Sequence, residues 1–194
     1  MSEIQANKIS PATGTALQVG DSGDTITIPS GATITNNGTQ TGFGGTNTPN
    51  FHAYSSSNQV FTRNTATLLK FDTEVFDTAS AYNNTASNYK FVVPSAGKYF
   101  VNTQAFFVNN DAVYIVQCWL YIYKNGSEAM RAGFDTNSGD SMRKNIVKCN
   151  TMLNLAQNDY LQVYAYCETL GGSDDAQISG EAVKTFFEGY KIIE

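Results

Sequence analysis

From Phe51 onward, apolar and polar positions alternate with period two in one short segment after another. "FHAYSSSNQVF", "TLLKFDTEVFDT", "YKFVVPSAGKYFVNTQAFFV", "VYIVQCWLYIYKNGSEAMRAG", "NIVKCNTMLNLAQNDYLQVYAYC" and "KTFFEGYKII" are each rich in β-branched or aromatic residues, and Gly, Asn, Asp, Ser or Pro bounds each of them. Alternation with period two is the mark of a strand that buries one face. Many short strands punctuated this way predict an all-β sandwich or barrel. No stretch sustains a helical period. "EAMRAGF", after the turn residues Asn125-Gly126, is the one short helical candidate.

The chain before Phe51 has a different texture. Thr and Ile alternate over Thr25–Ile28, Pro29-Ser30-Gly31 makes a turn, and the alternation resumes over Ala32–Thr35. This predicts a thin strand, closed by the tight-turn pair Asn37-Gly38. Gly42–Gly45 and the residues up to Pro49 read as a flexible break. The division that follows is an extended arm over residues 1–45, with one β repeat and a Gly-rich linker, and a head domain over 50–194. The arm carries too few apolar residues to build a core alone, whereas the head is long enough to close one.

Composition sharpens this picture. Only 15% of residues are charged, against about 25% in an average soluble domain. Polar character comes from Thr, Ser, Asn and Gly, the residues of strands and turns. The net charge is −5, and no run of Lys or Arg exceeds the pair Arg143-Lys144. A nucleic-acid surface needs a basic stripe, so nucleic acid is not an expected partner. No apolar run approaches the roughly 20 residues of a membrane helix, and a membrane is not expected either. The opening "MSEIQANKIS" has neither a basic nor an apolar leader region, which predicts folding in a cytosol.

Chemistry is sparse. His52 is the single histidine, and no Gly-x-Ser-x-Gly elbow supplies a nucleophile for it. A packed or surface strand position is the expected role, and the chain is not expected to be an enzyme. Asp21 with Asp24, and Asp174 with Asp175, form short acidic clusters in Gly-rich loops. Calcium uses such oxygens, but neither loop has the spaced ligands of a full site. Solvated turns are expected, with no metal and no cofactor. The glycines at 42, 44 and 45 lack the Lys-Ser/Thr and the helix of a phosphate loop and read as a hinge. Three Asn-x-Ser/Thr triplets begin at Asn37, Asn83 and Asn125, and they carry no weight without a secretory route. Cys118, Cys149 and Cys167 are odd in number. In a reducing compartment they are expected as free, packed thiols. A Cys149–Cys167 bridge between neighbouring strands is the sharper alternative.

The punctuation of the head resembles a known family. "KFDTEVFDTASAYNN", "FVVPSAGKYFVNTQAFF", "YIYKNGSE", "LNLAQNDYLQVYAY" and the closing "KTFFEGYKII" follow in the order seen in the jelly roll of tumour necrosis factor and of the complement globular head. The resemblance covers roughly Phe51 to Ile193. Asn158 stands where that family has Gly before Asp159. Asn tolerates left-handed backbone, so the turn is expected to survive. Ser95 and Glu188 read as tolerable surface changes. The resemblance implies a sandwich of about ten strands that assembles as a homotrimer. Twelve Phe and eleven Tyr fit an interface as well as a core. Trp119, Tyr121 and Tyr123 alternate with Leu120 and Ile122, so one set faces inward and the other outward. The expected trimer contacts are Trp119, Tyr121, Tyr123, Phe187 and Tyr190.

The arm has its own resemblance. "KISPATGTALQVGDSGDTITIPSGATITNNGT" resembles the amino-terminal units of bacteriophage fibre and other virion-surface proteins. In such units several chains supply what one cannot, by strand addition. The resemblance implies a structural protein on the surface of a bacteriophage particle, assembled in the host cytoplasm. A capsid decoration or cement protein is the first reading, with the major capsid protein or another virion protein as partner. The docking residues would be Ile9, Leu17, Val19, Ile26, Ile28 and Ile34. A short tail or head fibre that binds a receptor is the second, and a secreted lectin-like module the third.

Overall fold

A computed structural model describes residues 8–38, 47–109, 114–136, 142–170 and 176–192. The chain divides into two compact units, Met1–Phe43 and Gly44–Glu194. Among the described residues there is no helix, and all thirteen strands lie in the second unit. They are β1 (Asn50–Tyr54), β2 (Gln59–Phe61), β3 (Thr67–Leu68), β4 (Thr73–Asp77), β5 (Tyr82–Asn83), β6 (Lys90–Val92) and β7 (Gly97–Val108). After them come β8 (Tyr114–Lys124), β9 (Ser127–Asp135), β10 (Lys144–Leu155), β11 (Tyr160–Leu170), β12 (Ala176–Ile178) and β13 (Phe186–Lys191).

Two antiparallel sheets form a sandwich. One runs β2-β12-β7-β13-β1-β4, with β10 also paired to β7. The other runs β5-β6-β11-β8-β9, with β3 paired to β11. The alternation in the sequence sets which face of each strand is buried. Along β11, Leu161, Val163, Ala165 and Cys167 point inward while Tyr160, Gln162, Tyr164 and Tyr166 point outward. Along β8, Cys118, Leu120 and Ile122 are fully buried.

Aromatic rings join the two layers. Phe51 of β1 stacks on Phe91 of β6 at 4.4 Å and meets Phe187 of β13 edge-on at 4.9 Å. Tyr82 and Phe71 complete the group. Burying a Phe side chain stabilises by about 1.5–3 kcal/mol, so this cluster is a principal source of cohesion. It also corrects the expectation for Phe187. That residue is fully buried inside one chain, on the inward side of β13, and offers no surface to a second copy.

Two further expectations are corrected. The alternation over residues 25–35 makes no ladder. Its backbone bonds are local turns, Ala32 N–H to the Pro29 carbonyl at 3.1 Å and Asp24 N–H to the Asp21 carbonyl at 3.0 Å. Alternation describes a segment able to pair, and a strand exists only where a neighbour supplies the other half of the ladder. At the turn signal Asn37-Gly38 the chain does turn, with Gly38 N–H bound to the side-chain oxygen of Asn36 at 2.9 Å. The helical candidate within "EAMRAGF" is strand β9. Asn125 and Gly126 both have positive φ, 51° and 80°, as a two-residue turn of mirror-image type requires. That turn pairs Lys124 with Ser127 and commits the following residues to a hairpin.

Asn158 behaves as the sequence predicts, with φ 69°. The hinge read at Gly42–Gly45 and the pair Asp174-Asp175 fall outside the described residues. Asp21 and Asp24 close a turn on each other, with Asp24 Oδ2 accepting from Asp21 N–H at 2.8 Å. The alternative Cys149–Cys167 bridge between neighbouring strands is not formed: Cys149 lies on β10 in the first sheet, Cys167 lies on β11 in the second, and both thiols are free.

Candidate functional site

Two faces of the head and one surface of the arm bear residues that could engage partners. The larger is the outer face of the β7-β13-β1 sheet. Register places its outward side chains in rows. Asn50, Tyr190, Phe100 and Met152 form one row across β1, β13, β7 and β10, and Tyr54, Phe186, Gln104 and Lys148 form another. Between them lies a mixed row, Phe76, His52, Glu188, Asn102 and Asn150. Met152 is 70% exposed, and Phe76, Ile146 and Tyr190 are exposed as well. A cavity of about 230 Å³ opens between Asn50, Phe76, Phe100, Glu188 and Tyr190.

The mixed row is ordered by hydrogen bonds. His52 Nδ1 lies 2.7 Å from Glu188 Oε2, and Glu188 Oε1 accepts from Asn102 Nδ2 at 2.8 Å. The imidazole lies near the rings of Phe186 at 5.5 Å and Phe76 at 5.9 Å. Glu188, read as a tolerable surface change, lies on the surface and is also a positioned partner of the single histidine. The missed signal is chain-distant, since residues 136 positions apart meet here. Among the described residues no hydroxyl or thiol is hydrogen-bonded to the imidazole, so the pair lacks the nucleophile of a triad.

The second face is the outer side of the β11-β8-β9 sheet. Tyr121 and Tyr164 stand opposite one another, as do Trp119 and Tyr166. Tyr123 stacks on Tyr164 at 4.5 Å, and the Arg131 guanidinium lies 5.1 Å from the Trp119 ring. Burial pushes the phenols of Tyr121 and Tyr164 above their ordinary range. These rings are half-buried by one another, and their faces are largely spent within the chain. Trp119 also lies against Gly133, where an added Cβ would come within 2.6 Å of the indole and 2.0 Å of the Cys118 carbonyl. Only glycine allows that approach.

The third surface belongs to the arm. Ile9, Leu17, Val19, Ile26, Ile28 and Ile34 are 47–63% exposed.

The residues expected at a trimer contact are thus not brought into one patch. Trp119, Tyr121 and Tyr123 share the outer face of one sheet, Tyr190 lies on the outer face of the other, and Phe187 is between them in the core. Among the described residues, no group of three or more His, Cys, Asp or Glu is placed to hold a metal ion.

Comparison with solved structures bears on the head. Murine APRIL at pH 5.0 aligns with a TM-score of 0.55 and 14% identity, over 74% of this chain and 98% of that one. The TNF-type Eiger of S. frugiperda aligns with a TM-score of 0.53 and 14% identity, over 75% of this chain and 93% of that one. The globular domain of zebrafish complement 1qA aligns with a TM-score of 0.50 and 14% identity, over 75% of this chain and 98% of that one. No protein-family model and no curated protein sequence matches the chain. Identity this low speaks to the fold alone. The head is a jelly roll of the type found in tumour necrosis factor ligands and complement globular heads.

Proposed function

We propose that this chain is a non-enzymatic structural protein of a bacteriophage particle, a homotrimer whose head projects from the surface and whose arm docks on the shell as a capsid decoration. The observation that carries the reading is the arm. It has the alternation of a strand and six well-exposed apolar side chains, yet its described residues form no ladder within the chain. Such a segment is suited to pairing with an edge supplied by another protein, where backbone hydrogen bonds give hold and alternate side chains give register. The resemblance of its Gly-Asp-Thr-Ile-Thr-Ile-Pro unit to virion-surface proteins names the kind of partner.

The trimer rests on the fold type and on the apolar rows around Tyr190, Phe100 and Met152. Their exposure in the single chain suits a contact between copies better than the half-buried rings around Tyr121. A short receptor-binding fibre is the second reading. It is less favoured because the arm has one β repeat and would make a short shaft.

A reconstruction of the intact particle tests the proposal. Threefold density on the shell, with arms lying along capsid subunits, is the expected result. Density confined to a tail or spike would replace decoration by a fibre role. Absence from the particle would overturn both.

A further inference from the structure

Cys118 on β8 and Cys167 on β11 stand directly opposite each other in the antiparallel ladder. The Cys167 carbonyl accepts the Asn64 N–H at 2.9 Å, from the β3 side of β11. A strand residue turns its amide and carbonyl to the same neighbour, so Cys167 exchanges no backbone hydrogen bond with Cys118. Opposed residues of this kind bring their Cα atoms to about 4.5 Å, within the span that a disulfide bridges. The two sulfur atoms are 3.0 Å apart, and both side chains are fully buried. Cys149 lies on the other sheet, opposite Thr103.

We propose that Cys118 and Cys167 are the site of a reversible intrachain disulfide, open while the chain folds in a reducing compartment and closed afterwards by hydrogen peroxide. One thiolate attacks a peroxide oxygen, the O–O bond breaks, and a sulfenic acid and one water result. The second sulfur then attacks the sulfenic sulfur, the S–S bond forms, the S–O bond breaks, and the hydroxyl leaves with the remaining thiol proton as a second water. Two thiols are oxidised to one disulfide and one peroxide is reduced to two waters. Burial pushes the Cys118 thiol well above the usual range, so thiolate is scarce and closure is slow. Bulky reagents are kept from the pair by the same burial. The bond would join two long central strands and close a loop between residues 49 positions apart, which restricts the unfolded chain. This inference does not depend on the proposed place in a particle.

The test uses the full chain, reduced, desalted and treated with hydrogen peroxide at neutral pH. It is then unfolded and alkylated without reductant. The expected result is an intact mass lower by two hydrogens, one alkylatable thiol, and a peptide pair joining Cys118 to Cys167. The melting temperature should rise by roughly 5–15 °C, and dithiothreitol should reverse the change. The Cys149→Ser chain should give the same cross-link. Three alkylatable thiols after treatment, a cross-link through Cys149, or Cys118 and Cys167 oxidised to sulfinic acids without a link would each overturn the proposal and leave the thiols as packing groups only.

Discussion

Asp159 and Asn125 tie the turn of the β8-β9 hairpin to the turn that carries the chain from β10 in one sheet to β11 in the other. Asn125 Nδ2 donates to Asp159 Oδ1 at 2.7 Å, and Asn125 Oδ1 accepts the Tyr160 N–H at 2.8 Å. Lys124 Nζ sits 2.8 Å from Asp159 Oδ2, which also accepts the Ala156 N–H. The Lys124 bond first, then those from Asn125 and the Ala156 amide, lower the Asp159 carboxyl to about 2. A carboxyl with a depressed value in the fold contributes stability that is complete above its unfolded value of about 4. That contribution is lost as the pH falls from there towards 2. Asp159→Asn should lower the melting temperature at pH 7 and flatten its decline between pH 4 and 2. An unchanged acid limb in thermal melts across that window would remove Asp159 from the acid response.

Phe187 belongs to the core. Phe187→Ala should cost about 3–5 kcal/mol in denaturant unfolding. The protein that remains folded should keep the oligomeric state of the parent. Loss of assembly without loss of stability would return Phe187 to an interface.

The rows around Tyr190 can be tested without disturbing the interior, because Tyr190 and Met152 are exposed. Exposed substitutions usually change stability by less than about 0.5 kcal/mol. On the proposed trimer, Tyr190→Glu with Met152→Glu should leave the chain folded, by circular dichroism, and reduce the assembly to monomer in sedimentation. A trimer that survives this pair and fails in Tyr121→Glu would move the contact to the aromatic row on β8.

Gly133 has no room for a side chain. Its would-be Cβ meets the Cys118 carbonyl at 2.0 Å, and a backbone atom of a central strand cannot swing aside. Gly133→Ala should destabilise by about 3 kcal/mol or more, read by chemical denaturation. A neutral result would mean that β9, at the sheet edge, slides outward freely.

Deleting residues 1–45 should leave a soluble, folded head that no longer joins particles in a co-sedimentation assay. A truncated head that still binds would place docking on the jelly roll.

Much of the head was legible because strand alternation and turn chemistry agreed. β7, β8 and β11 are long enough for period two to dominate, and Asn125-Gly126 and Asn158 carry their backbone conformation in their residue types. β9 misled because it is an exposed edge. Glu128, Ala129, Met130 and Arg131 all face solvent, so its first half shows no buried face to alternate against, and only Ala132 and Phe134 pack on the core. The arm misled for the opposite reason, since its pattern is strand-like but pattern cannot supply a neighbour. The meetings of His52 with Glu188 and of Cys118 with Cys167 depend on register between strands far apart in the chain. No local signal encodes that register, and it emerges only when two sheets close on one core.

In the proposed role, an arm that arrives without a ladder would be ordered at the moment it docks, so each copy would bind weakly for the area it covers. Three copies carried on one threefold head would change that arithmetic. Once the first arm is seated, its sisters search a small volume at high effective concentration. Release then requires all three to detach together. Firm retention on a shell would thus arise from tethering three individually weak strands, and an isolated arm peptide would wash away.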